Sequence, residues 1–194
     1  SFPTRRSSDL KCARRYPCFL KLDVRKYFDS IDHVVLKNLL SRIIKDVRCL
    51  ELLFSVIDSY SAGKGCGLPI GNLTSQFFAN LYLSVLDHFV LEHLKPCRYE
   101  RYMDDMVLFA KSMADLKADF SEVEKFCKEN LCLSLKMPVF GKTKHGVPFL
   151  GWRITDKTVK VLSKTKRRMK EKLSEIEAEY ERGRVSEEKA CERI

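Results

Sequence analysis

Apolar runs and helical periodicity divide the chain into short strands and amphipathic helices. The run CFLKLDV at residues 18–24 is typical of a buried strand that ends on a single acidic side chain, Asp23. Ser30 is expected to cap a helix whose apolar residues recur every three to four positions. These residues are Val34, Val35, Leu39, Leu40, Ile43 and Ile44. A second helix is predicted over residues 50–60.

A glycine-rich loop and a longer helix follow. The segment SAGKGCGLPIGN at residues 61–72 holds four of the chain's eight glycines, which indicates that backbone must approach something closely there. The next helix has two faces. Its apolar residues are Phe78, Leu81, Tyr82, Val85, Leu86 and Phe89, and its polar residues are Gln76, Asn80, Ser84 and Asp87. We expect the first face in the core and the second available to a partner.

Strands are predicted at residues 98–103 and 106–110, joined by a tight hairpin at Asp104 and Asp105. A helix near residues 113–130 and a strand pair around 132–154 come next. This order predicts an α+β fold, an antiparallel sheet backed by helices and close to the split βαβ plan. The stretch at 160–172, with seven basic residues and one acid, is expected to begin a separate helical appendage.

Composition narrows the class of protein. A chain of 194 residues that is 45% hydrophobic can bury a core, and a net charge of +10 favours an anionic partner such as nucleic acid. Eight cysteines without a CxxC pair indicate reduced, mostly buried thiols and argue against a zinc site. No apolar run approaches the ~20 residues that cross a bilayer. We therefore expect a cytoplasmic protein without a membrane partner.

The acidic residues suggest metal chemistry. If the strand ending at Asp23 lies beside the hairpin of Asp104 and Asp105, three carboxylates meet and raise one another's pKa unless a cation joins them. Such oxygen ligands suit Mg²⁺, and two ions about 3.5 to 4 Å apart support nucleotidyl transfer. The alternative is a solvated turn at the Asp pair and a capping role for Asp23.

Four segments resemble the successive palm motifs of reverse transcriptases, in the same order. They are LKLDVRKYFDSIDH, GLPIGNLTSQFFANLYL, RYMDDMVLF with its YMDD box, and GVPFLGWRI. The resemblance implies a polymerase palm at residues 16–155 and a partial, basic, helical thumb at 156–194. Residues 1–15 match no fingers motif, so they are expected to be a scar or a truncation edge.

The resemblance also implies roles for individual residues. The metal ligands would be Asp23, Asp104, Asp105 and the carbonyl of Val24, which hold two Mg²⁺ ions that Mn²⁺ can replace. The nucleotide and template would meet Phe28, Ile70, Gly71, Gln76 and Asn80. The primer would meet Tyr102, Phe149, Leu150, Gly151 and Trp152. The nucleic-acid backbone would meet Lys164, Lys166, Arg167 and Arg168. A lysine, either Lys136 or Lys142, would act as a general acid toward pyrophosphate.

Several of these residues have simpler explanations. Core packing is the alternative for Phe28, which the resemblance places against the sugar of a dNTP. Core packing accounts equally well for the apolar residues 149–152. A solvated helix face accounts for Gln76, for Asn80 and for the basic stretch. The partners implied are an RNA template, a DNA or RNA primer and dNTPs, with a small basic accessory protein as a further option.

The family usually carries Gln-Gly followed by Ser-Pro in this segment, whereas this chain has Ile70-Gly71 and Ser75-Gln76. These two pairs resemble diversity-generating retroelement enzymes, bacterial or phage-encoded, more than those of group II introns or retrons. An apolar Ile70 removes one hydrogen-bonding check on the base pair, which predicts reduced fidelity, and the resemblance implies errors at template adenines. The alternatives are a group II intron, retron or phage-defence enzyme, or an inactive palm fragment that binds RNA.

Overall fold

The computed structural model describes residues 15–155, 157–182 and 189. Its strands are β1 (Cys18–Asp23), β2 (Arg98–Tyr102), β3 (Asp105–Ala110), β4 (Val139–Lys142), β5 (Val147–Phe149), β6 (Trp152–Ile154) and β7 (Val159–Val161). Its α-helices are α1 (Tyr27–Ser30), α2 (His33–Ile43), α3 (Val47–Asp58), α4 (Leu73–Phe89), α5 (Met113–Leu131) and α6 (Ser163–Glu181). A π-helical turn at Val90–Leu94 continues α4, and a 3₁₀ turn at Thr143–His145 follows β4.

Four antiparallel strands form the main sheet in the order β2-β3-β1-β4. The strand β1 pairs along its whole length with β3, so that Cys18 lies opposite Ala110 and Asp23 lies opposite Asp105. Pairing of Tyr102 with Asp105 leaves residues 103 and 104 as a two-residue turn between β2 and β3. The predicted strands at 18–24, 98–103 and 106–110, and the hairpin at the Asp pair, are confirmed.

The two faces of the main sheet are buried against different partners. On one face, Leu20, Leu22 and Leu108 join the large core that α2, α4 and α5 complete. On the other face, Phe19 and Phe109 pack in a smaller apolar cluster with residues of β5 and β6. Because both faces are covered, β1 reads as a nearly continuous apolar run. Alternation along β1 and β3 places Asp23 and Asp105 on the face of the smaller cluster.

Side-chain caps fix where the helices begin. The carboxylate of Asp32 accepts a hydrogen bond from the Val35 N–H at 3.0 Å and caps α2. The prediction that Ser30 caps this helix is wrong, because Ser30 ends α1 and its hydroxyl donates to carbonyls of that turn. Asn72 caps α4 at the end of the glycine-rich loop. The loop therefore leads directly into a helix start.

The predicted strand pair at 132–154 is divided between two sheets. The strand β4 joins the main sheet beside β1, whereas β5, β6 and β7 form a separate three-stranded antiparallel sheet. The strand β7 lies beyond residue 155, in the segment assigned to the thumb, and pairs with β6 before α6 begins. The predicted α+β class, an antiparallel sheet backed by helices, is confirmed. Within the described ranges, no helix has the length and apolar character needed to span a membrane.

Candidate active site

Three aspartates lie at one end of the main sheet. The strand β1 ends at Asp23, and β3 begins at Asp105 directly opposite. Asp104 lies in the preceding turn, near enough to Asp23 for the charge of Asp23 to raise the pKa of the Asp104 carboxyl group. The sheet register therefore brings together the three acids that the sequence predicted to meet.

Two lysines pair with these carboxylates. The Lys21 Nζ lies 3.0 Å from Asp105 Oδ1 and 3.1 Å from Oδ2, but only the contact to Oδ2 has hydrogen-bond geometry. The buried Oδ1 has no directed hydrogen bond from any described residue. The Lys136 Nζ donates to both oxygens of Asp23, at 2.9 and 2.8 Å. Sequence reasoning missed Lys21, although its position two residues before Asp23 puts both on one face of β1.

Burial and charge repulsion make the carboxyl groups of Asp104 and Asp105 harder to ionise. Burial raises the pKa of Asp104, and the nearby charge of Asp23 raises it further. Burial also raises the pKa of Asp105, against the opposing effect of Lys21. A cation placed among the carboxylates would lower both pKa values and relieve the repulsion.

The donor atoms suit a hard divalent cation. Carboxylate oxygens are ligands that Mg²⁺ prefers. The backbone hydrogen bonds that tie the end of β1 to residues 134–136 use the Asp23 carbonyl and the Arg25 amide. They do not use the Val24 carbonyl, the further ligand that the resemblance implies. In the described part of the chain, no three His, Cys, Asp or Glu side chains are already grouped as a metal cage. Asp23 and Asp105 instead face the ammonium groups of Lys136 and Lys21.

The sheet separates the two candidate lysines. Lys136 contacts Asp23 directly, whereas Lys142 lies at the other end of β1, opposite Cys18. The six residues from Cys18 to Asp23 are separated by five rises of an extended strand, about 17 Å in all. Of the two, only Lys136 lies at the carboxylate end of the sheet.

The small sheet brings its first hairpin to the same place. Phe149 pairs with Trp152, and residues 150 and 151 form the turn with φ angles of 49° and 79°. The backbone N–H of Leu150 lies near enough to the Asp105 carboxylate to act against the rise of its pKa. Phe149 itself is buried in the smaller apolar cluster. This hairpin thus has both a packing role and a position beside the aspartates.

A family model described as reverse transcriptase (RNA-dependent DNA polymerase) matches residues 1–154. The chain belongs to the reverse transcriptase family. Its curated relatives include the putative COX1/OXI3 intron 2 protein of Saccharomyces cerevisiae. The two sequences are 26% identical over an alignment of 200 residues, gaps included, and the alignment covers 70% of this chain. The group II intron-encoded protein LtrA of Lactococcus lactis subsp. cremoris is 35% identical over 80 residues, 38% of this chain. The chain spans 23% and 13% of these two relatives.

Solved structures support the same fold. A telomerase from Candida tropicalis, in a complex with a fragment of telomeric RNA, superposes with a TM-score of 0.60 over 82% of this chain and 32% of its own. Its sequence identity to this chain is 16%, so the likeness concerns the fold alone.

Of the residues expected around a nucleotide, Ile70 and Gly71 lie in the glycine-rich loop, and Phe28 contacts that loop. Phe28 is half-buried against the main core, and its carbonyl accepts a hydrogen bond from Leu68 at 2.8 Å. Ile70 is 81% exposed, and Gln76 is exposed on α4. Gly71 has a φ of 92°, and a Cβ there would meet no atom within 4 Å. Its glycine suits the backbone conformation and leaves open space in front of it.

Asn80 is part of a polar network that sequence reasoning missed. Its side chain accepts from Arg101 Nη1 at 3.3 Å and donates to the Met103 sulfur at 3.6 Å. Arg101 also contacts Asp87 on α4, so the polar face of this helix is partly engaged within the chain. Tyr102 is 49% exposed beside this network. The only sequence signal for Arg101 was a basic residue in a strand next to two acids.

The basic residues of α6 are exposed along its first turns. They are Lys164, Lys166, Arg167 and Arg168. Arg167 forms an i,i+4 ion pair with Glu171 at 3.4 Å, and Ile176 is the buried residue of this helix. Residues 183–188 and 190–194 of the predicted thumb, and residues 1–14 of the predicted N-terminal edge, lie outside the described residues.

Proposed function

We propose that this chain is the catalytic palm of an RNA-directed DNA polymerase that extends a primer on an RNA template. The observation that carries the proposal is the register of the main sheet, in which Asp23 lies opposite Asp105 with Asp104 in the adjoining turn. Family membership supports the same reaction class. The raised pKa values of Asp104 and Asp105 fit a site that works with a bound cation.

The proposed metal ligands are Asp23, Asp104, Asp105 and the Val24 carbonyl. Two Mg²⁺ ions, or Mn²⁺ in their place, would activate a 3′-hydroxyl and stabilise the leaving pyrophosphate. The chain's own task is to hold its carboxylates on one face of the sheet and to release Asp23 and Asp105 from Lys136 and Lys21. Lys136 is the proposed general acid toward pyrophosphate, since it lies at 2.8 Å from Asp23.

The proposed substrates are a dNTP, an RNA template and a DNA or RNA primer. The nucleotide and template would meet Phe28, Ile70, Gly71, Gln76 and Asn80, and the primer would meet Tyr102 and residues 149–152. The basic residues of α6 would neutralise phosphates of the RNA–DNA hybrid. A small basic accessory protein and a cytoplasmic location in a bacterium complete the proposal, and the relative from Lactococcus lactis supports the bacterial setting.

Two subtypes are proposed, each with its own support. The residues Ile70, Gly71, Ser75 and Gln76 favour the error-prone enzyme of a diversity-generating retroelement. The intron-encoded relatives favour a group II intron enzyme. Conversion of Ile70 to Gln separates them, because one added hydrogen-bonding check of about 1 kcal/mol would lower misincorporation by roughly fivefold. Sequencing of cDNA measures this, and unchanged errors at template adenines would argue against the retroelement subtype.

Primer extension tests the polymerase itself. The natural protein that carries this chain is supplied with poly(rA), oligo(dT), dTTP and Mg²⁺, beside its Asp104→Asn, Asp105→Asn variant. We expect extension by the first and none by the second. Equal behaviour of the two would contradict the polymerase proposal, and RNA binding by both without extension would favour an RNA-binding palm.

A further inference from the structure

Arg101 connects helix α4 to the turn that carries Asp104. Its Nε donates to Asp87 Oδ1 at 2.7 Å, and its Nη2 donates to the other oxygen of the same carboxylate. Its Nη1 donates to the Met103 carbonyl at 3.0 Å and to the Asn80 side-chain oxygen at 3.3 Å. A single guanidinium group therefore joins two residues of the helix to the backbone of the turn.

The turn at residues 103 and 104 requires such support. Met103 has a φ of 55°, a left-handed conformation that side chains other than glycine rarely adopt. Residues in such conformations persist where the surrounding structure holds them, and they cluster at functional sites. Here the Met103 carbonyl is held by Arg101 and its sulfur by Asn80.

The other end of this connection is rigid. Asp87 lies on α4 beside Leu83 and Leu86, which are fully buried in the main core. Its carboxylate also accepts a hydrogen bond from the Tyr99 hydroxyl at 2.8 Å. The guanidinium is thus fixed to the packed helix on one side and to the backbone of the turn on the other.

We propose that Arg101 is a positioning residue that fixes the turn at residues 103–104 against α4 and thereby sets the position of Asp104 relative to Asp23. The inference rests on the proposed polymerase function, in which Asp104 is a metal ligand. Supporting residues of this kind change metal affinity or activity by about 10- to 100-fold when they are replaced.

The contact geometry requires arginine in particular. The planar fork binds Asp87 through two nitrogens while a third nitrogen reaches the turn, whereas an ammonium group is a single point charge. Lysine at position 101 can keep the charge beside Asp87 but cannot span both partners. Arg101→Lys is therefore the informative change.

Hydrogen exchange on this 194-residue chain tests the contact without any catalysis. We expect Arg101→Lys to speed exchange of the Asp105 amide at least about tenfold, the effect of losing one charge-assisted hydrogen bond. The matched control is Arg98→Lys, on the same strand, where Arg98 pairs with Glu100 at 2.6 Å. Equal protection of the Asp105 amide in all three proteins would overturn the proposal.

Primer extension by the natural protein gives the second measurement. We expect Arg101→Lys to lower kcat by about 10- to 100-fold with little change in the KM for dTTP. A cavity of about 380 Å³ borders Arg101, so millimolar guanidinium is expected to restore activity to Arg101→Ala, and urea is not. Normal kcat in Arg101→Lys would overturn the positioning role. If Asp104→Asn left primer extension unchanged while Arg101→Lys still sped exchange of the Asp105 amide, the polymerase function would be contradicted. The contact made by Arg101 would still stand.

Discussion

The turn at residues 103–104 and the turn at residues 150–151 both close antiparallel hairpins, and each places a bulky residue at positive φ. The angle is 55° at Met103 and 49° at Leu150. They lie near each other, since the Leu150 amide is close enough to Asp105 to affect the pKa of its carboxyl group. The turn at 150–151 adds a glycine at φ 79° and is anchored by a backbone bond from Leu162 to Gly151 at 2.9 Å. The turn at 103–104 has no glycine and is held by the side chains of Arg101 and Asn80.

The difference separates a turn that glycine and packing support from a turn that side chains of distant residues support. Glycine at the second position and apolar neighbours explain the turn at 150–151 by local preference and packing. The turn at 103–104 departs from local preference twice, with methionine at positive φ and a half-buried carboxyl group at Asp104. Departures that the surrounding structure must support are expected where function requires them.

Removal of Lys136 should have the largest effect. A general acid contributes about 10²- to 10⁴-fold to rate, so we expect Lys136→Ala to lower kcat for primer extension by about 10² or more. Lys142→Ala, at the far end of β1, is the control and should keep wild-type kcat. Similar losses of kcat in both variants would show that Lys136 has no special role beside the aspartates.

Exchange of glycine between the turns should change stability in opposite directions. A Cβ on Gly151 would lie 3.3 Å from Thr165 Oγ1 at a φ of 79°, so we expect Gly151→Ala to destabilise the chain by about 1 to 3 kcal/mol. In Met103→Gly, relief of about 1 to 2 kcal/mol of left-handed strain is partly offset by about 0.5 to 1 kcal/mol of chain entropy, so we expect a small net stabilisation. Urea unfolding followed by circular dichroism measures both.

Gly65→Ala is the matched control for that comparison. Gly65 has a φ of 71°, but a Cβ there would meet nothing within 4 Å. The excess cost of Gly151→Ala over Gly65→Ala therefore reports the contact with Thr165. A destabilisation by Met103→Gly as large as that of Gly151→Ala would contradict the strain assigned to Met103 and the contrast between the two turns.

The smallest expected effect concerns pH. The pKa of Asp104 is raised in the folded state, so the unfolded chain loses its proton first as pH rises from about 3.8. Stability is lost as pH passes the raised value, and at pH 7 without divalent ions the charged carboxylate is a cost. We expect Asp104→Asn to stabilise the chain at pH 7 by a few tenths of a kcal/mol, because solvent screens this half-exposed group.

Asp119 provides the comparison for this pH effect. Burial raises the pKa of Asp119 too, but this residue lies on α5 and is not one of the three aspartates of the site. Both Asn variants should flatten the pH dependence of urea unfolding, whereas Mg²⁺ should stabilise Asp119→Asn and not Asp104→Asn. If Mg²⁺ stabilised the two variants equally, a metal-binding role for Asp104 would be contradicted.

The main sheet was predictable because its signals are local. The apolar run of β1 and the tight hairpin between β2 and β3 are written in contiguous residues. The small sheet was only partly predicted, since strands of three residues such as β7 carry little periodicity. The cap of α2 was misassigned because Ser30 and Asp32 are both good caps, and tertiary packing selected Asp32.

The contacts that complete the site depend on distant residues. Lys136 is 113 positions from Asp23, and no local pattern joins them. Arg101 and Asp87 meet because a strand crosses a helix, which the sequence does not specify residue by residue. The three aspartates could be predicted to meet, but the pairing of Lys136 with Asp23 and the network that holds the turn at residues 103–104 could not.

Titration of this chain with Mn²⁺, followed by electron paramagnetic resonance, most directly tests whether Asp23, Asp104 and Asp105 act as one cation site. We expect Mn²⁺ binding that Mg²⁺ displaces and that each single Asp→Asn change at these positions weakens strongly. Asp119→Asn should bind Mn²⁺ as the wild type does. Mn²⁺ binding that is unaffected by all three changes would show that these aspartates do not form a cation site.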